Sequence, residues 1–376
     1  MEATINDISN KKNLGQYFSG SSVASLLAHL AQFNLAKSII DPMVGTGDML
    51  WACGPKSNVQ KRFFGVEIDQ DVWRKCGQRF SANQNVSVIR GNAFDLDVIN
   101  QLAKHRYDLV ITNPPYVRYQ TISDNKNISP ENFDTSEIKR NLIDSLDYFE
   151  HLDAQDKKLF ELLISSYSGL SDLAVPSWIL CALLTSIGGR IAMVVPQTWL
   201  NREYATVVQY LLFKWFQIES IVEDGHSTWF SDAQVKTTLI VAKRVKRKNS
   251  ILKWGKKQFS YCTIFSKARV NGSLIGQLFP GAEFPEGDFL NLIKSKEQQN
   301  AFIKVKHVNL ANFAQALDFK LDRLKWYHKV EPTNPRAKIK RQTLKVPSHL
   351  RDWLGNKNPQ FVSLDDIGLN VSQGLR

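Results

Sequence analysis

Ser38-Ile-Ile-Asp-Pro-Met-Val-Gly-Thr-Gly-Asp-Met-Leu50 compresses a strand, a turn and a helix start into one short stretch. Ser38–Asp41 is an apolar run ending in an acid. A turn with two glycines follows, and Met49-Leu50-Trp51 opens a helix. The unit then repeats. Arg62-Phe-Phe-Gly-Val-Glu67 is a second strand ending in an acid, followed by a helix of about a dozen residues. Val86–Ile89 and Tyr107–Thr112 are further strands. The reading continues with a long helical stretch over about 156–187, stopped at Gly188-Gly189. Then come a strand at Arg190–Val195, a helix near 200–214, and strands at Ile218–Glu223 and Val235–Ala242. Strands alternating with helices predict an α/β fold with a doubly wound, Rossmann-like sheet. It is mostly parallel, with ligands at the carboxyl ends of the strands. Only a loop separates the last two strands, so the terminal one is expected to be antiparallel.

The chain has 376 residues, 43% of them hydrophobic and 22% charged, enough for two domains with sizeable cores. No apolar run reaches the ~18 residues that span a bilayer. The opening Met1–Phe18 has no apolar secretory core. Four scattered cysteines show neither metal-ligand nor disulfide spacing. A soluble, cytoplasmic protein without metal or membrane is the expectation. Residues 1–241 hold 22 basic and 26 acidic residues, whereas 242–376 hold 26 and 10. The whole basic surplus therefore lies in the last third. That suggests a near-neutral body joined to a part that binds a polyanion, although a lysine-rich solvated surface has the same composition. The expected division is a body over 1–242 and a basic linker with part of a DNA-binding region over 243–376. Residues 117–155 form a polar insertion at the substrate side.

Glycines at a strand-to-helix turn let a ligand approach the backbone. Gly45 and Gly47 gain weight from Glu67, an acid at the tip of the next strand, 20 residues beyond Gly47. A carboxylate there can accept from both hydroxyls of a ribose. No phosphate-gripping Lys-Ser/Thr pair is present, and the third glycine of a pyrophosphate loop is missing. An adenosine ligand without phosphates fits, such as S-adenosyl-L-methionine, with Asp41 facing its ammonium group.

Asn113-Pro-Pro-Tyr116 follows the hydrophobic strand and projects at the same edge. Two prolines fix φ and remove two N–H donors, which leaves carbonyls as acceptors. The Asn113 side-chain oxygen and the Pro114 carbonyl can both accept from one NH2 group, and Tyr116 can stack a planar ring. An exocyclic amine delocalised into its ring is a poor nucleophile. Two acceptors favour a tetrahedral nitrogen with its lone pair free. Such hydrogen bonds strengthen as the nitrogen gains positive charge. A rigid turn with a surface tyrosine is the plainer reading of the tetrapeptide. None of the four cysteines follows a proline, which disfavours methylation at cytosine carbon-5.

Over residues 14–242 the motif order resembles the γ-class N6-adenine DNA methyltransferases of restriction–modification systems. Leu14-Gly-Gln-Tyr-Phe-Ser19 resembles the family's Gly-Gln-Tyr-Phe-Thr-Pro segment over the methionine part of the cofactor. The resemblance puts Tyr17, Ser19, Asp41, Met43, Gly45, Gly47, Glu67, Ile68, Asn92, Ala93 and Phe94 at the cofactor. Asn92 stands where the family has an acid. The resemblance makes Asn113, Pro114, Pro115 and Tyr116 catalytic, and Tyr116 a stacking partner of the target base. Phe230 is either a second stacking aromatic or a core residue. It implies a methyltransferase sheet, S-adenosyl-L-methionine as cofactor, and double-stranded DNA as partner, with the target adenine flipped from the stack. The family's target-recognition domain is expected from a longer natural chain or a separate one. Glu137-Ile-Lys139 lies in a charged helix-like stretch and is not expected to be a nuclease motif. Two other readings stay open: amino-methylation of RNA or a protein glutamine, and a non-catalytic DNA-binding subunit.

Overall fold

The computed structural model describes residues 20–115, 135–167, 174–200, 202–225, 229, 236–265, 288–299 and 303–330. In chain order its elements begin with α1 (Gly20–Leu30), β1 (Ser38–Asp41), α2 (Asp48–Ala52), β2 (Arg62–Glu67) and α3 (Gln70–Arg79). They continue with β3 (Val86–Arg90), α4 (Leu96–Ala103), β4 (Tyr107–Thr112), α5 (Thr135–Asp144), α6 (Ala154–Ser166) and α7 (Ala174–Leu184). Next are β5 (Thr185–Pro196), α8 (Thr206–Trp215), β6 (Phe216–Asp224), β7 (Thr237–Arg244) and β8 (Gln258–Ile264). The last are α9 (Asp288–Ser295), β9 (Gln298–Gln299), β10 (Ile303–Asn309), α10 (Leu310–Arg323) and α11 (Tyr327–Val330).

All the strands join one ten-stranded sheet in the order β3-β2-β1-β4-β5-β7-β6-β8-β10-β9. β1, β2, β3, β4 and β5 are mutually parallel. β7, the last of the seven strands read from the sequence, runs antiparallel to both β5 and β6. β8 returns parallel to β6, and β10 pairs antiparallel with β8. The sheet therefore continues past residue 242 in three further strands.

Alternation along the central strands explains the two helical layers. Leu109 and Ile111 of β4, with Ala192 and Val194 of β5, pack into a core with α1, α2 and α9. Val110, Ile191, Met193 and Val195 enter the opposite core with α4, α7 and α8. Successive strand residues face opposite sides, so a sheet covered on both faces needs apolar residues at nearly every position. α7 is buried at every residue and carries no charge, as expected of a helix inside a core.

One boundary differs from expectation. The helix before β5 ends at Leu184, and Gly188-Gly189 lie inside the strand rather than at a helix stop. A Cβ on Gly189 would sit 2.8 Å from the Asp108 carbonyl oxygen, and the β4–β5 register shifts between Tyr107 and Leu109. The glycines serve a bulge where two backbones close up. No helix among the described residues is long and apolar enough to cross a membrane.

Candidate active site

The ends of β1, β2 and β4 converge where the sequence places the chemistry. Asp41 closes β1 and is buried. Its Oδ1 accepts the Met43 amide at 3.0 Å, which starts the turn. Gly45 and Gly47 follow with φ of 55° and 89°, the left-handed region that favours glycine. A Cβ on Gly45 meets nothing within 4 Å, whereas one on Gly47 would lie 2.5 Å from Phe80 Cε2. Gly45 thus faces open space and Gly47 faces the protein. Arg79 fastens the far side of the turn, donating to Asp48 Oδ1 at 2.6 Å and to the Thr46 carbonyl at 3.1 Å.

Glu67 closes β2, buried beneath this turn. The Gly45 amide donates to its Oε2 at 2.9 Å and the Asp69 amide to its Oε1 at 2.8 Å. Each oxygen keeps a second acceptor site, which is what two ribose hydroxyls require. Ile68, half-buried, follows at the strand end, and its amide dipole adds a small pull toward the ionised form of Glu67. Asp69 then caps α3, accepting from the Asp71 and Val72 amides.

Burial sets the electrostatics. It pushes the Asp41 carboxyl up to about 7, opposed by Thr112 and the Met43 amide, with Glu67 and Asp48 adding like charge. Glu67 is raised for the same main reason, and the Asp69 and Gly45 amides pull it back. Two buried acids thus lie close together, an arrangement that favours a cationic or hydrogen-bonding neighbour. All four cysteines are free and buried, and burial pushes Cys76 and Cys262 up to about 12. Such thiols supply no thiolate near neutral pH.

Asn92, half-buried after β3, holds its own turn by accepting the Phe94 amide on Oδ1 at 3.1 Å. Ala93 and Phe94 are buried. Asn141 of α5, inside the polar insertion, donates to the Phe94 carbonyl at 3.1 Å. That residue braces the turn after β3, and nothing in the sequence distinguished it from its polar neighbours. Asn113, half-buried, and Pro114, buried, leave β4 at the same sheet edge. Ile39 and Ile40 of β1 pair with Leu109 and Val110 of β4, so the two carboxyl ends adjoin. Thr112, fully buried, closes β4 near Asp41 and favours its ionised form. Tyr17, Ser19, Tyr116 and Phe230 lie outside the described residues. Trp229, beside the Phe230 position, donates its amide to Asp224 Oδ2 at 2.7 Å.

A doubly wound sheet with a glycine turn, a strand-end acid and an Asn-Pro-Pro turn at one edge is the arrangement expected of methyltransferases that use S-adenosyl-L-methionine. Residues 2–158 match the family model for N-6 DNA methylases. The type II methyltransferase M.AccI of Acinetobacter calcoaceticus is 25% identical over 237 residues, covering 62% of this chain and 37% of that protein. A tRNA1(Val) (adenine(37)-N6)-methyltransferase of Proteus mirabilis is 30% identical over 91 residues, covering 24% of this chain and 36% of that protein. The fold matches the methyltransferase subunit of a type I restriction–modification system from Streptococcus thermophilus with TM-score 0.55 and 15% identity. That match covers 81% of this chain and 58% of the other. The chain spans less than two-fifths of the length of the first of these relatives.

Proposed function

We propose that this chain transfers a methyl group from S-adenosyl-L-methionine to the N6 amine of an adenine flipped out of DNA, as the modification component of a restriction–modification or defence system. The carrying observation is the adjacency of two turns: Asn113-Pro-Pro leaves β4 beside Asp41 and the open glycine turn of β1. The residues fit the cofactor, because Gly45 faces open space and Glu67 keeps acceptor capacity on both oxygens. When bound, the cofactor supplies an electrophilic methyl group on a sulfonium.

Asp41 faces the ammonium group and Glu67 takes the ribose hydroxyls. Asn92 accepts from the cofactor's adenine amine, with Tyr17 and Ser19 closing over the methionine end. The Asn113 side-chain oxygen and the Pro114 carbonyl accept the two N–H bonds of the target amine. That grip frees the nitrogen lone pair and strengthens as positive charge develops. Pro115 stiffens the turn, Tyr116 stacks on the base, and Phe230 covers it from the other side. A flip costing a few kcal/mol brings the base within reach. Double-stranded DNA is the proposed partner, held by the basic last third of the chain, in the cytoplasm. A separate chain supplies target recognition.

A filter assay with tritiated cofactor on unmethylated genomic DNA, total RNA and protein tests the reading. Label in DNA adenine is expected. Label only in RNA or protein, or DNA binding without label, would overturn it.

A further inference from the structure

The strands beyond β6 build a second depression on the edge that carries the proposed active site. β6 and β8 run parallel, while β7 and β10 run antiparallel to them. The ends of β6 and β8 and the starts of β7 and β10 therefore share one edge with Asp41 and Asn113. A cavity of about 380 Å³ opens there, with Lys236, Lys304 and Lys306 among its walls.

Its floor is acidic but internally satisfied. Glu223 Oε2 accepts from Tyr261 Oη at 2.7 Å and Gln197 Nε2 at 2.8 Å, and Oε1 accepts from Thr263 Oγ1 at 2.6 Å. Asp224 is buried and accepts the Trp229 amide. The lysines are arranged differently. Lys236 and Lys306 are exposed and Lys304 is half-buried. Among the described residues no ion pair engages any of the three. Lys304 and Lys306 stand two apart on β10, opposite Thr263 and Tyr261, on one sheet face.

We propose that Lys236, Lys304 and Lys306 form a phosphodiester track that holds the duplex to one side of the target adenine. This rests on the DNA reading above. Lys236 immediately precedes β7, whereas Lys304 and Lys306 lie on β10, three strands further along the sheet, so their backbones are spread about 14 Å along the edge, a spacing that suits a linear polyanion better than a small anion. Neighbouring strands lie about 4.8 Å apart. β7 is two strands from β4 and β10 is five, so the track lies roughly 10–24 Å from the Asn113 turn. At about 3.4 Å per base pair, that is roughly three to seven base pairs from the flipped base.

The test compares the full-length protein with its K236Q/K304Q/K306Q variant by measuring duplex affinity from 50 to 200 mM salt. The log–log salt slope should become shallower by about 2–3, at about 0.9 for each phosphate that is no longer neutralised. The weakening should appear with a duplex extending ~10 base pairs either side of the target and vanish with one extending ~2. Cofactor affinity, measured by calorimetry, should not change. A variant that methylates and binds the long duplex with the wild-type slope would overturn the track and leave the methyltransferase reading intact. A wild-type chain that binds no duplex would overturn both.

Discussion

Methyl-donor binding should depend on the ionisation of Asp41 around neutral pH. The carboxyl is buried, and burial pushes it up to about 7 in the free protein. Its proposed ligand is an ammonium group, which only the ionised acid can meet with full charge. Binding then releases a proton below the midpoint. At pH 6 about one free molecule in ten carries the carboxylate, so affinity should fall about tenfold from its plateau, with a further tenfold near pH 5. The stability sign is the reverse of that for a salt-bridged carboxylate. Raised from 3.8 to about 7, Asp41 binds more protons in the folded state. Its favourable contribution is therefore present at low pH and lost as pH rises through 7, a cost of about 4 kcal/mol above that. Asp41→Asn should weaken donor binding, remove its slope between pH 5.5 and 7, and raise the thermal midpoint more at pH 8 than at pH 5. Calorimetry in two buffers of different ionisation heat counts the released proton directly. Wild-type affinity that stays flat over this range, or an Asn variant that keeps the wild-type slope, would refute the reasoning.

Asn113→Ala should abolish transfer while donor binding survives; loss of donor binding by calorimetry would reassign the residue. Glu67→Ala should weaken donor binding by an order of magnitude or more, because it removes acceptors for the ribose and strands the Gly45 and Asp69 amides. Unchanged affinity would remove Glu67 from the site. Gly47→Ala puts a Cβ 2.5 Å from Phe80 at φ 89°, so it should cost about 1–3 kcal/mol by urea denaturation. A variant as stable as wild type would show that the turn relaxes freely. Tyr116→Ala should impair transfer more than Tyr116→Phe, since stacking needs only the ring; equal loss in both would reject that role.

The parallel half of the sheet was legible because each strand carries its own signature. Ser38–Asp41, Arg62–Glu67 and Tyr107–Thr112 are short apolar runs closed by a polar residue at the functional edge. Gly188-Gly189 misled, because a glycine that serves a bulge between two strands looks the same in one dimension as a helix stop. The continuation through β8 and β10 was hidden for a related reason. β10 reads Ile303-Lys-Val-Lys-His-Val-Asn309, with lysines on one face, and the surrounding charge suggested a linker. The placement of Asp41, Glu67 and Asn113 at strand ends could be read from the sequence. Asn141 and Thr112 could not, because they act through contacts between segments distant in sequence.

The central claim is that two oxygens of the Asn113-Pro114 turn hold one exocyclic amine beside the methyl donor. A crystal structure with a non-reactive donor analogue and a cognate duplex measures this directly. The target amine nitrogen should lie about 3 Å from both Asn113 Oδ1 and the Pro114 carbonyl oxygen, with the donor's sulfur in line behind it. An amine held by other groups, or an Asn113 side chain turned away from the base, would contradict it.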